Sequence, residues 1–112
     1  MNITCESHRT AIVVSLTGEL TVDSEDQFKR TVQDAWHESP SNVILDCENL
    51  DMIDSIGLES FLWLSELLAQ SNHQLRCANV NETITQIFEF TRLERVFSVH
   101  DEIEEAARYI CS

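Results

Sequence analysis

Apolar positions along the chain follow two different spacings, and their alternation predicts a series of strands and helices. Asn2 to His8 predicts a short edge strand, and the β-branched run Ala11 to Thr17 predicts a second strand that pairs with it as a hairpin. Gly18 to Thr21 is predicted to turn the chain towards the first helix.

The first helix is predicted from one apolar face and from signals at both ends. Ser24-Glu25-Asp26-Gln27 fits a capping box, and Ser39-Pro40-Ser41 stops the helix. The apolar face recurs at i, i+4, i+7 and i+8, and it consists of Phe28, Val32, Ala35 and Trp36.

The middle of the chain predicts a buried strand followed by an unusually apolar helix. Asn42 to Cys47 is continuously apolar, which is typical of a central strand covered on both faces. The helix after it has an apolar arc wider than one stripe: Leu58, Phe61, Leu62, Trp63, Leu64, Leu67, Leu68 and Ala69. Consecutive residues such as Trp63 and its neighbours cannot all face one sheet, so part of the arc must meet another helix or a partner.

The last third of the chain repeats the pattern of strand and helix. Gln74 to Val80 and Arg95 to Val99 predict strands, and Asn81 and Asp101 predict caps of the two helices that follow them. The apolar faces of these helices are Ile84, Ile87 and Phe88, and Ile103, Ala106, Ala107 and Ile110. The predicted order β-β-α-β-α-β-α-β-α indicates an α/β fold with a small mixed sheet of about five strands and about four helices, whose later strands are parallel through right-handed crossovers.

Length and composition limit the class of protein. A chain of 112 residues with 43% apolar residues predicts one globular domain over residues 1–112. No apolar run approaches the roughly 20 residues that span a bilayer, and the start of the chain lacks the features of a secretory signal, so we expect a cytoplasmic protein. A net charge of -13 disfavours nucleic acids and anionic membranes as partners, because both are polyanions.

Cysteines and histidines show no spacing that predicts a metal, a cofactor or a catalytic site. The four cysteines are far apart in the sequence: Cys5, Cys47, Cys77 and Cys111. They form no C-x-x-C pair, and the cysteines and histidines show no spacing typical of a metal-ligand set. We expect the first three to be buried, reduced thiols in strands. Nucleotide-binding, nucleophile-elbow and metal motifs are also missing, so the sequence predicts no enzyme activity.

The segment Asp54-Ser55-Ile56-Gly57-Leu58 is the strongest candidate for a functional site. It lies between a predicted strand and a predicted helix, where a hydroxyl beside a carboxylate meets the unpaired amides of a helix start. Such a hydroxyl suits phosphorylation or docking. The alternatives are that Ser55 is a helix N-cap, that Asp54 caps the helix or is simply solvated, and that Gly57 serves helix-start geometry or the close approach of a partner.

The order of elements and several short motifs resemble the STAS domain, and more narrowly the single-domain bacterial anti-sigma-factor antagonists. The resemblance covers essentially the whole chain. Its motifs are Leu16-Thr17-Gly18-Glu19-Leu20, Met52-Ile53-Asp54-Ser55-Ile56-Gly57-Leu58, Asn79-Val80, Ile87-Phe88, Thr91-Arg92-Leu93 and Val96-Phe97.

This resemblance implies a partner switch controlled by phosphorylation of Ser55. The unphosphorylated antagonist of the family binds an anti-sigma factor with a histidine-kinase-like ATPase fold, which is also a serine kinase, and a serine phosphatase resets the switch. The implied partner-binding residues are Glu19, Thr21, Asp23, Asp54, Ile56, Gly57 and Leu58. The alternative is a STAS subunit of a phospholipid-transport ABC complex, in which the hydroxyl serves docking and is never modified.

Two positions depart from the family pattern. Thr21 stands where the family commonly has Asp, and Asp23 follows two residues later as a substitute. Ile56 stands where a second hydroxyl is frequent, so the phosphorylation hypothesis rests on Ser55 alone. The Ile56 side chain either packs into the core, which we expect, or serves docking.

Overall fold

The computed structural model describes residues 1–111, which form five strands and five helices around one sheet. The strands are β1 (Asn2–Ser7), β2 (Ala11–Leu20), β3 (Asn42–Ile53), β4 (Leu75–Ala78) and β5 (Val99–His100). The helices are α1 (Glu25–Glu38), α2 (Ser55–Ala69), α3 (Glu82–Phe90), the single turn α4 (Glu94–Phe97) and α5 (Ile103–Cys111).

The strands lie in the order β1-β2-β3-β4-β5, so neighbours in sequence are also neighbours in the sheet. Strand β1 pairs with β2 in the antiparallel direction, and the other three pairs are parallel. The predicted mixed sheet and the central position of the Asn42 strand are therefore confirmed. Because the parallel strands all end at the same edge, the loops after β2 and β3 lie side by side.

The two faces of the sheet are covered unequally. Helices α1 to α4 cover one face, where Phe61 lies 5.8 Å from Phe28 and 5.6 Å from Phe97 between ring centroids. Helix α5 covers the other face, where Ala106 packs in a smaller cluster. The wide apolar arc of α2 meets neighbouring helices: Trp63 packs against the larger core, and the Lys29 ammonium of α1 lies 5.5 Å from its ring centroid.

Three predicted boundaries are wrong. Strand β3 runs six residues beyond its predicted end at Cys47, to Ile53. Strand β2 runs through Gly18 to Leu20 instead of turning, because Gly18 adopts φ +109° beside a register shift and the strand continues past it. Residues 94–97 form the turn α4 rather than a strand, and this conformation places Phe97 in the aromatic cluster under α2 and α3. Only Val99–His100 pairs as strand β5.

The predicted helix caps have mixed outcomes. Asn81 is confirmed, since its Oδ1 accepts the N–H of Ile84 at 2.8 Å. The capping box is wrong: the Ser24 hydroxyl accepts the N–H of Thr21, outside the helix, and Gln27 donates to the carbonyl of Met1. Helix α5 begins at Ile103, two residues after Asp101, so the predicted cap residue does not adjoin it.

Of the cysteines predicted to be buried, Cys47 and Cys77 are buried and free, which confirms that prediction. Cys5 is exposed, because β1 is an edge strand that α1 covers only in part. The pKa of the Cys77 thiol is raised well above its usual value. The hydrogen bond with Cys47 is the larger cause, and burial of the thiol adds to it. The side chain of Cys111 lies outside the described residues.

Candidate functional site

The candidate site is built where the loops after β2 and β3 meet. Leu20, the last residue of β2, is aligned with Ile53, the last residue of β3. The N–H of Asp54 donates to the carbonyl of Leu20 at 3.2 Å, which extends this pairing by one residue into the loop. The loop of residues 21–24 therefore lies directly beside Asp54 and Ser55.

Asp54 is the residue that joins the two loops. Its Oδ1 accepts the N–H of Gly57 at 2.8 Å and so caps α2, while its Oδ2 accepts the N–H of Val22 at 3.4 Å. The capping alternative for Asp54 is confirmed. The carboxylate is thereby fixed by main-chain donors on both sides, which holds the loop after β2 against the start of α2.

Ser55 is the first residue of α2, and its side chain is exposed. Among the described residues, none forms a hydrogen bond with the Ser55 hydroxyl. The N-cap alternative for Ser55 is therefore wrong, because Asp54 occupies that position. The result is a free hydroxyl at the positive end of a 15-residue helix.

The packing around Gly57 leaves no room for a side chain at this position. It is buried, and a methyl group at its Cα would overlap the carbonyl oxygen of Leu20 and the Cγ1 atom of Ile53. The first turn of α2 thus packs directly on the ends of β2 and β3. The close backbone approach at Gly57 is made by the end of β2, an intramolecular neighbour that the sequence pattern did not identify.

Three apolar side chains on the two segments that form this site are exposed or partly exposed. Val22 is 62% exposed and Met52 is 41% exposed, although neither was singled out by the sequence pattern. Ile56 is partly exposed and belongs to neither core cluster, so the expectation that it packs into the core is wrong. Leu58, by contrast, packs against the larger core. An isolated valine in a polar loop was the one signal that could have identified Val22.

Carboxylates border the same surface. Glu19, Asp23 and Asp51 line a shallow cleft of about 520 Å³ beside the loop after β2. Thr21 adds no charge to this surface. Its Oγ1 accepts the N–H of Asp23 at 3.3 Å, and this bond holds the loop in shape. Segments 18–24 and 51–58 contain no lysine or arginine. We call this acidic and apolar surface the rim; it comprises Glu19, Thr21, Val22, Asp23, Asp51, Met52, Asp54, Ser55 and Ile56.

The structure brings the predicted site residues together at this rim, with Gly57 and Leu58 beneath it. Within residues 1–111, no three or more His, Cys, Asp or Glu side chains are grouped so that they could hold a metal ion. The helices of the same residues are all too short or too polar to cross a bilayer.

The family model of the STAS domain matches residues 2–106. The chain belongs to the STAS domain family. This STAS domain is 24% identical over 102 residues to the anti-sigma F factor antagonist of Paenibacillus polymyxa, a match that covers 90% of this chain and 87% of that protein.

Two solved structures have the same fold. An anti-sigma factor antagonist from Mycobacterium paratuberculosis superposes with a TM-score of 0.88 at 17% identity, covering 99% of this chain and 94% of that one. The phosphorylated form of the Bacillus cell fate determinant SpoIIAA superposes with a TM-score of 0.75 at 23% identity, covering 99% of this chain and 100% of that one. At these identities the likeness establishes the fold.

Proposed function

We propose that this STAS domain is an anti-sigma factor antagonist that acts in the bacterial cytoplasm as a phosphorylation-controlled partner switch. Unphosphorylated, it binds an anti-sigma factor of histidine-kinase-like ATPase fold; that protein phosphorylates Ser55, and a serine phosphatase reverses the modification. The observation that carries the proposal is the exposed, unbonded Ser55 hydroxyl directly after the Asp54 cap. Relatives named as anti-sigma factor antagonists, and one solved in phosphorylated form, support it.

The rim supplies the partner-binding surface in this proposal. Val22, Met52 and Ile56 offer apolar contact area around Ser55. Glu19, Thr21, Asp23 and Asp54 surround it with polar and charged groups, so the partner face should be basic with an apolar centre. Gly57 and Leu58 contribute by holding the first turn of α2 in place.

Phosphorylation acts in this proposal through the interface and leaves the fold intact. A phosphate on Ser55 adds about -1.5 to -2 charge beside the Asp54 carboxylate. The start of α2 offsets this repulsion, since an anion at a helix N-terminus gains about 0.3–1 kcal/mol. A docked partner has no such compensation unless it supplies a cation, and burying an unmatched dianion costs several kcal/mol. Release of the partner therefore requires no unfolding.

The protein works in this scheme by binding and supplies no catalytic group of its own. Ser55 receives a phosphoryl group from the nucleotide of the partner kinase, and no described histidine or carboxylate accepts a hydrogen bond from its hydroxyl to act as a base. Asp54 has both carboxylate oxygens bonded to main-chain N–H groups and serves to hold the segment.

The test is affinity capture from a lysate of the native host with four baits: wild type, Ser55→Ala, Ser55→Asp and Ser71→Asp. Ser71 is exposed and lies beyond the far end of α2, so Ser71→Asp adds the same charge away from the rim. We expect wild type, Ser55→Ala and Ser71→Asp to recover a histidine-kinase-like ATPase, and Ser55→Asp to lose it. The recovered protein is then incubated with ATP and each bait, and the phosphorylated residue is identified by mass spectrometry.

Phosphate at Ser55 of wild type, with none on Ser55→Ala, would support the switch. Recovery of phospholipid-transporter components equally by all four baits would instead make the domain a fixed assembly subunit. Phosphorylation of another residue with Ser55 unmodified would overturn the role of Ser55 while leaving the partner assignment in place.

A further inference from the structure

The outer edge of β1 carries main-chain groups that no neighbouring strand pairs. The N–H of His8 donates to the carbonyl of Ala11 at 2.9 Å, which fixes the phase of the antiparallel ladder between β1 and β2. Hydrogen-bonded pairs alternate with non-hydrogen-bonded pairs in such a ladder. The N–H and C=O groups of Ile3, Cys5 and Ser7 therefore point away from β2, to the free edge of the sheet.

This edge lacks the features that usually prevent strand addition. Its six residues contain no proline and no lysine or arginine, and the register with β2 has no bulge. The one charged residue of the strand is Glu6, whose Oε1 atom lies 3.2 Å from the Nε2 atom of His8. Side chains alternate along a strand, so Glu6 lies on the sheet face opposite to Cys5. An extended segment can thus add to β1 by β-augmentation.

A groove with unpaired negative charge runs beside the same edge. It has a volume of about 430 Å³ and is lined by Cys5, Ser7, Thr31, Asp34, Ala35, Glu38 and Ser39. Asp34 and Glu38 are exposed and lie one turn apart on α1, and no described residue forms an ion pair with either carboxylate within 4.0 Å. Arg30, one turn before Asp34, lines a neighbouring cleft that Asp34 also lines, but it lies more than 4.0 Å from the Asp34 carboxylate among the described residues.

We propose that the β1 edge and this groove bind an extended peptide segment that carries Lys or Arg at alternate positions. Alternate side chains of an added strand lie on one face and are about 6.6–6.8 Å apart. Residues four apart on a helix are separated by about 6 Å along its axis, so Asp34 and Glu38 match two alternate basic residues. The surface shares no residue with the rim, and the inference does not depend on the proposed function.

Charge decides against a second copy of the chain as the occupant. Pairing β1 with the β1 of another copy would bring the Asp34 and Glu38 carboxylates of both copies to one seam. Each copy also has a net charge of -13, which adds to the repulsion. A basic segment neutralises the same carboxylates while it satisfies the free main-chain groups of β1.

The test uses a synthetic peptide, acetyl-Thr-Val-Lys-Val-Lys-Val-Thr-amide, titrated into the 15N-labelled protein up to millimolar concentration. We expect amide shifts confined to β1 and the second half of α1. Cys5→Pro removes one edge donor without touching the ladder to β2, and it should weaken binding about tenfold relative to Cys5→Ser, which keeps the donor. Asp34→Asn with Glu38→Gln should weaken binding about fivefold, whereas Asp26→Asn, on the first turn of α1, should not.

The proposal is overturned if no shifts occur at millimolar peptide, or if Cys5→Pro and Cys5→Ser bind equally while both remain folded. It is overturned also if a peptide of the same composition with adjacent lysines binds as tightly, since the spacing argument then fails. Self-association through β1 without peptide, seen by sedimentation, would assign the edge to a second copy instead. If Cys5→Pro does not fold, the double carboxamide variant and the permuted peptide decide the outcome.

Discussion

The Oδ2 atom of Asp54 accepts the main-chain N–H of Val22 at 3.4 Å, across the gap between the loops after β2 and β3. The other oxygen of the same carboxylate caps α2. One side chain therefore sets the position of an exposed valine and of the helix turn that begins with Ser55. The rim depends on Asp54 for its shape as well as for its charge.

Replacing Asp54 should separate these two roles. Asp54→Ala removes both acceptors, and we expect it to lower the free energy of unfolding by about 1–2 kcal/mol. Asp54→Asn keeps one carbonyl oxygen for the N–H of Gly57 and should cost less than about 1 kcal/mol. Urea unfolding measures the cost, and amide exchange at Val22 and Gly57 reports the bonds. Equal costs for both variants, with unchanged exchange at Val22, would contradict the assignment.

Gly57→Ala should destabilise the fold by about 1–3 kcal/mol, because the added methyl group overlaps the Leu20 carbonyl and the Ile53 side chain. In an exposed helix, replacing glycine with alanine ordinarily raises the free energy of unfolding. A decrease at Gly57 would therefore distinguish a tight contact from an open position. Glu59→Ala, an exposed position on the next turn of α2, is the control and should change little. Urea unfolding of both variants provides the comparison, and a stabilised Gly57→Ala would show that the contact is not tight.

Ser55→Asp should leave the stability of the isolated domain nearly unchanged, within about 1 kcal/mol. The added carboxylate gains from the start of α2 and loses against Asp54, and both groups are partly solvated. Thermal unfolding of wild type and Ser55→Asp at low and moderate salt tests this balance. A large loss of stability would mean that phosphorylation acts through unfolding rather than through the interface.

The stability of the domain should fall at alkaline pH through Cys77. A hydrogen bond with Cys47 and burial raise the folded-state pKa of this thiol. The thiol's contribution is therefore complete below the unfolded pKa of about 8.5, and it is lost as the pH rises through the folded value. Urea midpoints between pH 7.5 and 10 should decline less steeply in Cys77→Ala than in wild type.

Alkylation with iodoacetamide offers an independent readout of the same environment. In the native protein at pH 8 we expect modification of Cys5 and none of Cys77, as mapped by mass spectrometry. Partial burial also raises the pKa of Cys5, so its rate should keep rising above pH 8. Ready alkylation of Cys77 in the folded state would contradict its burial.

Patterns repeated over several residues determined most of the fold from sequence alone. The β-branched run of β2, the continuous apolar run of β3 and the helical spacing from Phe28 to Trp36 each sum many small preferences, so their element types were correct. The same holds for the Asn81 cap, where a short-range bond to Ile84 suffices. That Ser55 lies close to the junction of a strand and a helix also followed from these local patterns, although the structure makes it the first residue of α2.

Tertiary structure decided what depends on distant segments. Residues 94–97 form a turn because Phe97 reaches the aromatic cluster, and Gly57 is needed because the end of β2 passes over it. The second oxygen of the Asp54 carboxylate bonds the N–H of Val22, 32 residues earlier in the chain. Local spacing carries no information about such contacts, since they exist only once the strands are paired.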